Sequence, residues 1–360
     1  MPTTSTRLWV PRRVLVTRSA AGLPHTAQIL ARCSDAGVPD VEFLSSDRLT
    51  GLRVRDDDRA TYARAKSTLA VVVSPPSKRK LQPIPPSADW RVDLAEGCPA
   101  HCQYCYLAGS LTGPPVTRVY ADLDAILACM DAYVGAGSVT SSSAARAHEG
   151  TTFEASCYTD PLGIEHLTGS LAATIAHVGT HEFAGPVQLR ATTKFGAAAP
   201  LLDLPHGGRT RIRASVNSAS AARFEGGTDP VAVRLAGLGA LARAGYPVGL
   251  TIAPIMSVGD WRAEYAGLLD AGAAELAGVP GLDLTVECIT HRFTPGSKQV
   301  LEGWYPRTKL EMDPGVRSRK FGKFGAVKYV YRPEEMRELR TWFDDALASR
   351  LRAARALYWT

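Results

Sequence analysis

Three cysteines, Cys98, Cys102 and Cys105, fall within the run Glu96-Gly-Cys-Pro-Ala-His-Cys-Gln-Tyr-Cys-Tyr106, a Cys-x3-Cys-x2-Cys spacing that brings three thiols around one point. Thiolates are ligands for soft metals, but a structural zinc site or an ordinary iron–sulfur cluster takes four protein ligands. The loop supplies one ligand fewer, and an open corner suggests chemistry rather than structure. His101, inside the same loop, is the residue that would close it as a zinc site. The chain holds 7 cysteines, an odd number with the other four scattered, which excludes a secreted disulfide framework. Cys33, Cys129 and Cys288 read as small apolar packing groups, and Cys157, taken alone, does too.

The elements that must position these groups repeat. From Trp90 onward, short β-branched runs alternate with alanine-rich helical patterns. The predicted strands are 91–94, 151–154, 187–192, 211–216, 248–253 and 282–287, with helices over 123–134, 164–177, 231–244 and 263–274 between them. Such alternation specifies a parallel sheet or barrel. Six units fall short of a closed eight-unit barrel, so the expectation is an α/β fold built on a partial (β/α)6 TIM-like barrel, with its chemistry at the C-terminal strand ends. The reactive residues collect there: the cysteine loop after the first strand, Cys157-Tyr-Thr-Asp160 after the second, then Lys194, Ser215 with Asn217, Ala253-Pro254, and His291-Arg292.

Residues 1–85 are expected to form a small N-terminal α/β extension, with a strand over 13–17 and a helix over 24–33, ending in a proline-rich linker; 86–300 form the barrel. Residues 301–360 are expected to form a C-terminal basic β-hairpin and helix. A length of 360 residues at 45% hydrophobic composition excludes a disordered chain. The net charge of +6 is unevenly distributed: residues 1–34 hold Arg7, Arg12, Arg13, Arg18 and Arg32 and no acid, and near the C-terminus Arg317, Arg319, Lys320, Lys323 and Lys328 form a stripe that can follow a polyphosphate backbone or remain a solvated face. No run approaches the roughly 20 apolar residues of a membrane span, so a soluble, cytoplasmic protein with no membrane partner is expected.

A Cys-x3-Cys-x2-Cys loop after the first strand of a βα repeat resembles the radical S-adenosylmethionine superfamily. Further segments narrow the resemblance to the spore photoproduct lyase family: Arg118-Val-Tyr120, Phe153-Glu-Ala-Ser-Cys157, Gly163-Ile-Glu-His-Leu167, Thr193-Lys-Phe195, Arg211-Ile-Arg-Ala-Ser-Val-Asn217, Ala253-Pro-Ile255, His291-Arg-Phe-Thr294 and Gly325-Ala-Val-Lys-Tyr-Val-Tyr331. They run in order from about residue 90 to 332. The resemblance implies a [4Fe–4S] cluster on Cys98, Cys102 and Cys105, whose fourth iron binds S-adenosylmethionine, and an electron donor of flavodoxin or ferredoxin type. It implies repair of 5-thyminyl-5,6-dihydrothymine in UV-damaged DNA: a deoxyadenosyl radical takes a hydrogen from the lesion, the bridge breaks, and Cys157 gives a hydrogen atom to the product radical. Tyr104 and Tyr106 match a hydrogen relay back to the cofactor, with Tyr106 favoured. Lys194, Ser215, Thr159, Asn217 and Ala253 match positions around S-adenosylmethionine, with Thr159 standing where serine is expected.

The DNA contacts implied are Arg319, Lys320, Lys323 and Phe324 on the basic hairpin. The family carries an Arg-Tyr pair near the hairpin tip where this chain has Lys323-Phe324, and the change favours weighing a second lesion, a (6-4) or Dewar photoproduct, handled by the same chemistry. A third reading is a non-catalytic nucleic-acid-binding protein with a structural zinc in the cysteine loop.

Overall fold

The computed structural model describes residues 8–110, 113–321, 325 and 327–360. All six predicted barrel strands are present, as Ala88–Val92, Thr151–Ala155, Val187–Thr193, Thr210–Val216, Val248–Ile255 and Leu284–Thr290, each parallel to the next. The predicted helices follow, among them Val231–Arg243 and Trp261–Glu275, while the span from 123 is an α-helix to Ala128 and then a 3-10 turn over Met130–Tyr133. The sheet nevertheless has eight strands. Gln82–Ile84 adds an antiparallel edge inside the stretch expected to be an irregular linker; Pro83 is tolerated there because an edge strand can spare a donor. Ala354–Trp359 adds a parallel strand at the opposite edge, beyond the helix Pro333–Arg350, where no strand was expected.

Side chains show that the sheet curls. Glu154 and Glu287 stand on barrel strands four positions apart in the sheet, about 19 Å in a flat sheet. A single guanidinium, that of Arg213, is hydrogen-bonded to both carboxylates. Arg190 reaches Glu287 at 2.5 Å, and the Tyr358 hydroxyl of the last strand donates to it at 3.0 Å. The interior of the open barrel is thus filled by buried ion pairs as well as apolar layers; Arg190, Arg211 and Arg213 are all at most 1% exposed.

A second, five-stranded sheet is built from the N-terminal region and from two strands that follow the first barrel strand, so it extends past residue 85, where the N-terminal unit was expected to end. Its spatial order is Val41–Phe43, Arg13–Val16, Thr68–Val72, Thr117–Tyr120 and Ala95–Glu96. The chain therefore leaves the first barrel strand, crosses to this sheet at Ala95–Glu96, and only then enters the cysteine loop. The C-terminal hairpin pairs Ser318–Phe321 with Val327–Val330. Its anchor is mutual backbone bonding between Phe293 and Tyr329 at 3.2 and 2.8 Å, which fixes it beside the end of the sixth barrel strand.

Candidate active site

Gly97 opens the cysteine loop with φ at 76°, and a Cβ there would lie 2.3 Å from the carbonyl oxygen of Val116. Only glycine permits this approach. The loop is then held from three sides. His101–Cys102 pairs with the short strand Glu225–Gly226, and Gln103 N–H donates to the Phe224 carbonyl at 2.9 Å. The Thr308 hydroxyl donates to the Gln103 side chain at 2.6 Å. From the helix Asp58–Lys66, the Lys66 ammonium donates to the carbonyls of Cys98 and Ala100.

This places the loop over a cavity of about 370 Å³ at the C-terminal ends of the barrel strands. Cys98, Cys102, Cys105, Tyr104, Tyr106, Cys157, Thr159, Lys194, Ser215 and Ala253 all line it, which brings together ten of the residues singled out from the sequence. Burial pushes the Cys98 thiol up to about 11, against the pull of Lys66, and raises Cys102 and Cys105 as well. Thiols in this setting lose their protons to a bound metal rather than to water.

Cys157 is turned into the cavity by Ser156, whose φ of 52° lies in the left-handed region. Non-glycine residues occupy that region at a cost and are held there by their surroundings. Here the Ser156 N–H donates to Val92 O at 2.8 Å and its hydroxyl accepts from Leu94 N–H at 2.9 Å. Burial pushes the Cys157 thiol up to about 12, with Asp93 adding to the effect and Arg91 opposing it.

Asp160 fixes the next strand end: its carboxylate accepts from Lys194 N–H at 2.6 Å and the Thr193 hydroxyl at 2.7 Å. Lys194 Nζ reaches the Ser215 hydroxyl and lies 3.8 Å from Glu225. Glu225 also accepts from the Tyr104 hydroxyl and pairs with Arg234 at 2.5 Å. Among the described residues, the Thr159 hydroxyl is shielded from solvent with no hydrogen-bond partner, as is Nε2 of His291, another lining residue.

Asn217 does not line the cavity. Its amide donates to Pro254 O at 2.9 Å and accepts from the Tyr265 hydroxyl at 2.8 Å, so it braces the turn that carries Ala253. Arg319 and Lys320 are exposed on the hairpin. Lys323 and Phe324 lie outside the described residues. His101 accepts or donates a hydrogen bond to the Tyr62 hydroxyl through Nδ1 at 2.7 Å, beneath the loop. Sequence reasoning missed Lys66, Tyr62, Glu225 and the Arg213 network; the spacing of Arg211 and Arg213 on one face of one strand was the available signal for the last.

A partial α/β barrel with a three-thiol loop and a further thiol facing one cavity defines a class of enzyme-like site at the strand ends. The comparisons resolve it further. The spore photoproduct lyase family profile matches residues 9–360, and the chain belongs to that family. It is 37% identical to spore photoproduct lyase of Geobacillus sp. (strain Y412MC61) and 34% identical to that of Bacillus subtilis (strain 168), in each case over 98% of this chain and 99% of the relative. A solved structure described as a spore photoproduct lyase mutant with bound AdoMet and dinucleoside spore photoproduct superposes with a TM-score of 0.88 at 36% identity, covering 98% of this chain and all of that one.

Proposed function

We propose that this chain is a DNA-repair lyase that returns spore photoproduct to two thymines by radical chemistry, with a [4Fe–4S] cluster on Cys98, Cys102 and Cys105 and S-adenosylmethionine at its open iron. The observation that carries this reading is that Cys157 opens into the same cavity as the three loop cysteines. The residue types present fit the groups they would hold, although among the described residues no three His, Cys, Asp or Glu side chains come together closely enough to hold a single metal ion. Three half-buried thiols share the cavity wall with Lys66, and Lys194, Ser215 and the Thr159 hydroxyl, unpartnered among the described residues, offer polar contacts for the carboxylate and ribose of S-adenosylmethionine. AdoMet and the dinucleoside lesion bound to the similar lyase support the same pair of ligands here.

When bound, the reduced cluster and S-adenosylmethionine would supply a 5′-deoxyadenosyl radical. The chain's own part is to aim, shield and finish. Cys157 gives its hydrogen atom to the carbon radical left on the product thymine: the S–H bond breaks, a C–H bond forms, and sulfur keeps the unpaired electron. A thiolate has no hydrogen atom to give, and burial keeps this group a thiol at neutral pH. Tyr106 is 39% exposed at the cavity wall with Arg292 5.3 Å from its ring centre, whereas the Tyr104 hydroxyl is held by Glu225. Tyr106 is accordingly the relay: its O–H bond breaks as the Cys157 S–H bond re-forms, and the tyrosyl oxygen would then take a hydrogen atom from 5′-deoxyadenosine, with Tyr104 as the shield. The lesion reaches the cavity by leaving the duplex, which costs a few kcal/mol, and the exposed cations Arg319 and Lys320 attract the flanking phosphates. The electron comes from a flavodoxin- or ferredoxin-type donor.

The zinc reading would need His101 to close the loop through Nε2, since its Nδ1 is engaged by Tyr62. Anaerobic reconstitution followed by reduction with S-adenosylmethionine and defined dinucleoside photoproducts tests the proposal. Iron with broad visible absorbance and thymine from the methylene-bridged dimer are expected. A colourless protein carrying one zinc would refute the radical enzyme, and consumption of a (6-4) or Dewar lesion in place of the methylene-bridged one would reassign the substrate.

A further inference from the structure

Lys66 ends the helix Asp58–Lys66 and is 7% exposed. Lysines are almost never so buried unless a counter-charge accompanies them, because a desolvated ammonium costs several kcal/mol. Its Nζ donates to the carbonyl oxygens of Cys98 and Ala100, which satisfies hydrogen bonds without neutralising the charge. Burial disfavours the ammonium, and among the described residues Cys98, Cys105 and Cys102 are the groups whose negative charge, once they are metal-bound, would favour it. The other titratable neighbour on the loop, His101, brings no negative charge, and Tyr62, one helical turn earlier, is tied to His101 and to Tyr305 at 2.7 and 2.5 Å. The helix thus delivers one buried amine to a cavity lined by the three loop sulfurs, where the carboxylates that share the wall are already engaged, Glu154 by Arg213 and Asp160 by Lys194 N–H and the Thr193 hydroxyl.

We propose that Lys66 is the electrostatic counterpart of the metal site: a positioning residue, supplied from the N-terminal sheet region, that holds the loop carbonyls and offsets the negative charge of the thiolate-bound cluster so that its one-electron reduction is easier. The inference rests on the cluster reading above. Adding an electron to an anionic group in a poorly solvated cavity is opposed by the charge already there, and a cation a few ångströms away reduces that opposition. The N-terminal region would then act in the chemistry through this one side chain, although the loop that binds the metal lies some thirty residues further along.

The test compares wild type with Lys66→Gln, which keeps donors for the two carbonyls without the charge, Lys66→Met, which removes both, and Lys66→Arg, which keeps the charge. Each is reconstituted anaerobically, its iron content measured, and its cluster titrated potentiometrically with the reduced form followed by electron paramagnetic resonance, without substrate. In Lys66→Gln and Lys66→Met the reduction equilibrium is expected to be at least tenfold less favourable, a drop of 59 mV for one electron, with Lys66→Arg near wild type. If the neutral variants hold no iron while Lys66→Arg does, the same requirement for charge is met. A Lys66→Gln cluster within threefold of wild type, or failure of Lys66→Arg alongside the neutral variants, would overturn the inference. A wild-type protein that takes up no iron would instead overturn the cluster reading itself.

Discussion

Cys157 follows a serine held at φ 52°, and the turn carries its thiol off the strand end into the space faced by the loop cysteines. The same surroundings set its protonation: burial dominates, and the pKa stands at about 12. Since alkylating reagents attack the thiolate, Cys157 in the native protein should react with iodoacetamide at pH 8 at least tenfold more slowly than free cysteine. Peptide mapping of the labelled protein checks this, and a rate equal to free cysteine would mean an exposed or activated thiol. In the sequence, Cys157 had no local signal of its own, since one cysteine after a strand reads as packing. Its proposed role comes from the resemblance, and its place on the cavity wall is the physical observation that supports it. Asn217 shows the opposite case: a polar residue at a strand end looks like a ligand until its partners, Pro254 and Tyr265, are seen.

The cysteine loop depends on its neighbours more than on its own residues. Gly97 lets it pass the Val116 carbonyl, Glu225–Gly226 pairs with its middle, and Lys66 holds its carbonyls. Gly97→Ala combines a disfavoured positive φ with a backbone clash, so it is expected to cost more than about 1 kcal/mol and to displace the three thiols. Lower thermal stability together with iron retention well below wild type would show it; unchanged iron content would mean the loop adapts. The six barrel strands were legible because β-branched runs separated by helical periods are a local signal. The two edge strands were not, because proline obscured one and the other is a short run after a long helix whose pairing is decided by the far edge of the sheet. Lys66 was equally invisible: nothing in a sequence distinguishes a buried lysine from a solvated one.

The open barrel is held across its interior by charges. Burial works against ionisation of Glu287, yet Arg213 and Arg190 outweigh it and hold the carboxyl below the usual range. A carboxylate lowered in the fold contributes stability that is complete above the unfolded pKa and lost as pH falls through the folded value, so acidification below the ordinary glutamate range of about 4 should loosen the barrel. Arg213→Met would leave Glu154 and Glu287 without their shared partner, with an expected loss of about 3–5 kcal/mol by denaturant unfolding; a loss under 1 kcal/mol would mean that Arg190 suffices. This scaffold places Cys157 on the same cavity as the three loop cysteines, and the most direct measurement of the proposed function follows from that arrangement. Reduced, reconstituted wild type and Cys157→Ala are each incubated with S-adenosylmethionine and dinucleoside spore photoproduct, and the products are resolved by chromatography and mass spectrometry. Wild type should release the repaired thymine dinucleoside, and Cys157→Ala should consume the lesion while its product radical is trapped as adducts. Clean repair by Cys157→Ala would contradict the assignment of Cys157 as the hydrogen donor.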